Sequence, residues 1–402
     1  MLNLEHIEAA AGRIKSSIYE SPLMHSKMLS DLTGNAIYLK LENLQMTGSF
    51  KERGALNRIL TMTDDEKRRG VMAASAGNHG QGVAYHAARR GIPAQIWMPR
   101  STPMIKLAAT RAHGAEVVLH GTSYDEAYEG AIKRSLQTNA TFVHAFDDEA
   151  VIAGQGTVGL EILAQNPALD VIVAPVGGGG LIAGVGCAVK GRHPRIEVVG
   201  VQTSRLPSMT AALESKKPVS LPPASTLADG IAVRKAGTLT LPLVRKYVDH
   251  MVTVEEADIA AAILVLLEQE KTLAEGAGAI ALAAVLQGKT GHRGKHIAVL
   301  VSGGNLDVNV LARIIEQGMV RDGRRLRLRV RLPDYPGALE RLASVIANAS
   351  ANIVETSYNR AHYGVSLSEA AIDITMETRG RHHASELLST LKDSQYEFSL
   401  VE

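Results

Sequence analysis

The chain has 402 residues, with 43 Lys and Arg against 41 Asp and Glu, a net charge of +2. That balance, with aromatics at only 4%, argues against a nucleic-acid partner or a membrane surface. The length calls for about two or three domains, and the single cysteine, Cys187, excludes an intrachain disulfide and a multi-cysteine zinc site.

The N-terminus is amphipathic and carries acids, with no apolar signal core. No run of about 18 apolar residues occurs anywhere. Cys187 sits among Gly184, Gly186 and Ala188 and reads as a packing thiol. A cytoplasmic location is therefore expected. From residue 37 to about 318, short apolar runs alternate with longer helical patterns. The runs are Ile37–Leu41, Val71–Ala74, Ala94–Met98, Glu116–Leu119, Phe142–Ala145, Val171–Val176, Ile196–Gln202 and Ile297–Val301. Gly82–Arg90, Tyr124–Leu136, Val151–Leu163 and Ile259–Glu270 carry apolar residues at three- and four-residue intervals. This predicts an α/β fold with parallel sheets, and ligands beyond the strands' carboxyl ends.

The first such loop leads to Lys51. Thr47 or Ser49 is expected to cap the helix that follows. A lysine in a first helical turn opposes the dipole. Desolvation and nearby like charge would lower its pKa toward the neutral amine that imine chemistry needs. The same residues also suit a solvated surface lysine, the plainer of the two readings. Ser75-Ala76-Gly77-Asn78-His79 opens a second helix, where N–H groups favour a carboxylate or phosphate. It suits equally a glycine-softened turn with Asn78 as cap. Gly177, Gly178, Gly179 and Gly180, before Leu181, exceed what a tight turn needs. They let consecutive amides converge on an anion. The spacing is neither a dinucleotide fingerprint nor a P-loop, so a phosphate-bearing cofactor is favoured. Ser302-Gly303-Gly304-Asn305 follows the last strand and is weak alone. A phosphate cradle, an anion-accepting helix start and an imine-forming lysine together point to pyridoxal phosphate acting on an amino acid.

These motifs, in this order, resemble fold-type-II pyridoxal-phosphate enzymes, whose fold is tryptophan synthase β-like with two parallel-sheet subdomains. Within them the chain is similar to threonine and serine dehydratases and serine racemases. Ala153-Gly154-Gln155-Gly156-Thr157, Thr226-Leu227-Ala228-Asp229-Gly230 and Ala274-Glu275-Gly276-Ala277-Gly278-Ala279 extend the match, which covers about residues 5–320. The resemblance implies that Lys51 holds the cofactor covalently and is then the Cα base. Phe50 and Gly230 flank the pyridine ring and Asn78 meets its hydroxyl. Gly177–Gly180 and Leu181 cradle the phosphate, and Ser302 meets the ring nitrogen. Ser49, Ser75, Asn78 and His79 surround the substrate carboxylate. The implied reaction is loss of water and ammonia from L-threonine, and from L-serine. The racemases' second serine falls at Ala76 and their acidic cation ligand at Gln202, so dehydration without a metal is expected. Racemization, a serine or hydroxyaspartate dehydratase, and a non-catalytic amino-acid sensor are the alternatives.

Around residues 318–325 the chain turns basic. The expected division is a catalytic domain over 1–320, a linker over 321–325 and a smaller domain over 326–402. Leu326–Leu332, Gly337–Ala349, Asn352–Asn359, Glu369–Glu377, His382–Leu391 and Tyr396–Val401 read as a ferredoxin-like βαββαβ unit. This unit resembles ACT domains, which bind small amino acids. The match implies an effector, isoleucine, near Asp334, Gly337 and Ala338, or else a dimerization module with an empty site. One copy per chain implies a homodimer or homotetramer that completes the pocket.

Overall fold

The computed structural model describes residues 2–359 and 368–401. The chain divides into two compact units, Met1–Leu306 and Asp307–Glu402. In the first, the central β-branched runs, such as Val71–Ala74 and Val171–Pro175, form strands buried on both faces, as parallel sheets require. One sheet runs Leu23–Ser26, Ala36–Leu41, His296–Val301, Val171–Pro175, Glu197–Thr203, His250–Val254, parallel throughout except for its first strand. A second, all-parallel sheet runs Glu116–Leu119, Ala94–Met98, Val71–Ala74, Thr141–Phe142. The sequence pattern misses Leu23–Ser26 and His250–Val254. Both are short edge strands in which polar residues, His25 and Ser26 or His250 and Thr253, break up the apolar ones. The expected strand Phe142–Ala145 stops at Phe142. There His144 Nδ1 accepts the N–H groups of Phe146 and Asp147 and turns the chain out of the ladder.

Three helices bring the loops together. Lys51–Leu60, Glu149–Gln165 and Gly180–Arg192 meet backbone to backbone. A Cβ on Gly154 would stand 2.6 Å from the Arg53 carbonyl oxygen, and one on Gly184 would collide with that of Ile152. Between the helices lies a buried charge cluster. Arg53 donates from Nε and Nη2 to Glu42 at 2.7 and 2.8 Å, and from Nη1 to Glu161 at 2.6 Å. Lys40 Nζ adds a bond of 2.7 Å to Glu161. Burial alone would raise the Glu42 carboxyl, but the adjacent guanidinium holds it below its ordinary value.

In the second unit, helix Val308–Arg321 leads into strand Arg325–Pro333. The compact division thus falls before this helix, whereas the sequence places the change of composition after it. The sheet order is Asn352–Asn359, Glu369–Glu377, Arg325–Pro333, Phe398–Leu400, all antiparallel. With helices Ala338–Asn348 and Arg381–Asp393 this is the expected βαββαβ arrangement. Leu328, Val330, Leu332, Ile372, Ile374 and Met376 form its core with Leu342, Ile346, Leu387 and Leu391. Among the described residues no helix is long and apolar enough to cross a membrane.

Replacing Arg53 by Leu should cost about 3–5 kcal/mol, since Glu42 and Glu161 would stay buried without their main partner. Urea denaturation of the two proteins checks this.

Candidate active site

Lys51 opens its helix, but neither expected cap forms. Phe50 holds the cap position in helical conformation without a side-chain bond, and the Thr47 and Ser49 hydroxyls have no hydrogen-bond partner. Tertiary ties replace the cap. The Thr47 N–H donates to Glu52 Oε2 at 2.9 Å, and the Phe50 N–H to the Ser302 carbonyl at 3.1 Å. Ser49 pairs with Gly303 in an isolated bridge. The loops of Lys51 and Ser302 are therefore stitched together by main chain.

The Lys51 amine lies 5.2 Å from the Phe50 ring centroid and donates to the Ala145 carbonyl at 3.1 Å. Burial pushes its pKa down to about 8, against a smaller opposing pull from Glu275. Desolvation is the cause that the sequence suggests. The expected like charge is not among the causes, and the neighbour is an acid instead. At pH 7 roughly a tenth of this amine is then a free nucleophile, against well under a thousandth of an ordinary lysine.

Lys51 shares a cavity with Phe50, Gln155, Gly177–Gly180, Leu181 and Gly230. The glycine loop joins strand Val171–Pro175 to helix Gly180–Arg192. Gly179 has φ +98°, and a Cβ on Gly178 would strike the Phe146 ring, so side chains are excluded at both positions. The Gly178 carbonyl is drawn to the rear by Thr240 Oγ1 at 2.5 Å and the Gly237 N–H at 3.3 Å. A peptide's C=O and N–H point in opposite directions, so the Gly179 N–H points away from Thr240. Asp147 braces this from behind. It accepts the N–H groups of Leu239 and Thr240 at 2.8 and 3.2 Å.

Asn78 begins helix Asn78–Ala88, whose cap is Gly77 rather than Asn78. Its Nδ2 donates to Glu275 Oε1 at 2.6 Å and its Oδ1 accepts from Asn305 at 2.7 Å. Ser75 Oγ accepts the Gly77 N–H at 3.2 Å. His79 is buried, and its Nε2 lies 2.8 Å from the Val143 carbonyl, which only an N–H can meet. Burial pushes this ring to about 3, so it is neutral. Its side chain offers a carboxylate no charge, leaving the backbone N–H of the helix's first turn. Ser302 Oγ is buried and donates to the Ala277 carbonyl at 3.1 Å.

Sequence reasoning quoted Gln155, Glu275 and Asn305 within motifs but gave them no role, and missed Asp147 and Thr240. Asp147 lies 92 residues from Leu239, and no local pattern links them. Gln155 Nε2 is buried without a partner beside this cavity.

A family model described as "Pyridoxal-phosphate dependent enzyme" matches residues 14–303. The chain belongs to the pyridoxal-phosphate-dependent enzymes. It is 49% identical over 401 residues, the full length of both chains, to an L-threonine ammonia-lyase of Thermotoga maritima. An L-threonine ammonia-lyase of Geobacter sulfurreducens is 46% identical, with 98% of each chain covered. A solved threonine deaminase of Solanum lycopersicum superposes with a TM-score of 0.75 at 38% identity, over 79% of this chain and 87% of that one. The family's cofactor suits the groups present. A glycine loop lining the cavity can take a phosphate, a depressed amine can take an aldehyde, and the unpartnered Ser49 Oγ and Gln155 Nε2 remain to be satisfied.

Two outcomes follow for this family member. The apoenzyme mixed with pyridoxal phosphate should turn yellow at a rate rising about tenfold per pH unit below 8 and levelling above it, because the neutral amine is the nucleophile. Stopped-flow absorbance across pH reads this, and Lys51→Ala should stay colourless. Gly178→Ala should weaken cofactor retention by about 1–3 kcal/mol in equilibrium dialysis, because the added methyl displaces Phe146 or the loop.

Proposed function

We propose that this enzyme deaminates L-threonine, and L-serine by the same route, to 2-oxobutanoate or pyruvate and ammonia. What carries this is the meeting, in one cavity, of the Lys51 amine held near pKa 8 and the glycine loop. The choice of L-threonine is supported by the names of the full-length relatives.

In this reading Lys51 would hold the cofactor's aldehyde carbon, Gly177–Gly180 and Leu181 its phosphate, and Phe50 and Gly230 would flank its ring. Asn78 meets the ring hydroxyl and Ser302 the ring nitrogen. Bound pyridoxal phosphate withdraws electrons from the amino acid's Cα–H bond. With the substrate amine bound, Lys51 Nζ would take the Cα proton, and the β-hydroxyl, given a proton from the phosphate group, would leave as water. A second water later releases ammonia, so the net change is substrate to 2-oxo acid and ammonia. The substrate carboxylate sits at the start of helix Asn78–Ala88, beside Ser49 and Ser75, where first-turn N–H groups lack intrahelical acceptors. The neutral His79 serves there through its backbone. Ala76 offers no hydroxyl on the face opposite Lys51, which supports elimination over racemization.

Ser302 sets the reaction's outcome. Its hydroxyl now donates to Ala277, and rotation about the C–O bond would give that hydrogen to a ring nitrogen. A hydroxyl leaves that nitrogen less protonated than a carboxylate would, so loss of the β-group is favoured over transamination. Ser302→Asp should raise transamination products, measured as the pyridoxamine form per turnover. Unchanged partitioning would remove this role.

The second unit is proposed as an ACT-like regulatory domain binding isoleucine near Asp334, Gly337 and Ala338, with a second subunit completing the pocket. Gly337, at φ +88°, precedes helix Ala338–Asn348, a start suited to a carboxylate. Asp334→Ala should leave ammonia release from L-threonine intact and abolish any change on adding isoleucine. A homodimer or homotetramer and a cytoplasmic location complete the proposal. The lone, buried Cys187 supports a reducing compartment.

A further inference from the structure

The Asn78 carboxamide is held in one orientation by a relay of polar groups. Asn305 donates from Nδ2 to the Thr47 carbonyl at 2.7 Å and to Asn78 Oδ1 at 2.7 Å. A carbonyl can only accept, so the Asn305 atom facing Thr47 must be its nitrogen. Asn78 therefore gives Asn305 its oxygen and turns its own nitrogen away. That nitrogen donates to Glu275 Oε1 at 2.6 Å and keeps one further N–H. The packing is tight on both sides. A Cβ on Gly48 would stand 2.6 Å from Asn305 Oδ1, and one on Gly303 would stand 2.5 Å from Glu275 Oε1. Glu275 is itself fixed, its N–H donating to the Gly303 carbonyl at 3.0 Å. Asn78 follows a strand of the four-stranded sheet, while Asn305 follows a strand of the six-stranded one, so the relay crosses between them.

We propose that Asn305 and Glu275 are positioning residues that lock the Asn78 carboxamide with its nitrogen inward, so that an N–H, and not the carbonyl oxygen, meets the cofactor's ring hydroxyl. This rests on the reading above that Asn78 faces that hydroxyl. A donated hydrogen favours the deprotonated ring oxygen, the yellow form of the bound cofactor, whereas an acceptor there would favour the protonated, near-ultraviolet form. Burial, and Asp229 after it, raise the Glu275 carboxyl to about 8. Its oxygen accepts from Asn78 in either protonation state.

The test is the absorbance of the holoenzyme and its variants at one pH, read as the ratio of yellow to near-ultraviolet form. Asn305 lies at the exposed rim, so Asn305→Asp should fold. Its carboxylate can donate to neither Thr47 nor Asn78 and should turn the amide round, lowering the ratio about three- to tenfold. Glu275→Gln still presents an oxygen to Asn78 and should keep the ratio within about twofold. Asn78→Ala must lower the ratio by itself, and adding Asn305→Asp to it must change nothing more. A ratio that stays put in Asn305→Asp but falls in Asn78→Ala overturns the positioning role alone. A ratio that stays put in Asn78→Ala removes that residue from the ring hydroxyl, and this proposal with it. If Glu275→Gln lowers the ratio as far as Asn305→Asp, carboxyl charge governs instead of amide orientation, and the proposal is again overturned.

Discussion

The geometry of this site depends on three helices touching through their backbones. Helix Lys51–Leu60 begins at the reactive amine and helix Gly180–Arg192 begins at the glycine loop. Both lie against helix Glu149–Gln165, and glycines leave no side chain between them. The separation between the start of the Lys51 helix and the glycine loop is therefore set by contact distances of peptide groups rather than by rotamers. The Arg53 guanidinium, two residues after Lys51, adds direction to this contact by joining Glu42 beyond one strand to Glu161 on the central helix. A buried ion cluster of this kind contributes little net stability, but it penalizes any other placement of the helix it belongs to.

Across the cleft the ties are of another kind. Lys106 meets Asp229 at 2.7 Å, and Arg234 meets Asp125 at 2.7 Å. Both pairs join the segment that carries Gly230 to helices flanking the four-stranded sheet. They are partly exposed, so each contributes at most about 1 kcal/mol and weakens with salt. The anchor side is held by dry packing, and the facing side by bonds that water can replace.

Strand order in time was readable because β-branched runs and glycine turns are local. Strand order in space was not. Nothing in the sequence places His296–Val301 between Ala36–Leu41 and Val171–Pro175. Lys51, the glycine loop and Ser302 were visible because each sits where a strand ends, and the family resemblance then gave them roles. The low amine pKa was foreseen for the right main reason, burial, although its charged neighbour is Glu275 and not a cation. Thr47 and Ser49 looked like caps because capping rules are local, and main-chain ties to Ser302 and Gly303 displaced them. The His79 ring, which the local pattern leaves free for a ligand, has its Nε2 on the Val143 carbonyl. Asp147, Thr240 and Glu275 act through contacts far apart in the chain, which no periodicity records.

The glycine stretch of the pocket wall cannot reshape itself around a new guest, because it has no side chains to swing aside. Any change in what the cavity accepts must be written elsewhere on its lining, in side chains such as Phe146, Gln155, Ile231 and Val233. The rigid wall is thus a historical constraint as well as a chemical one. It confines such change to the few side chains of the lining and leaves no room for a side chain where Gly154 and Gly184 bring the helices together.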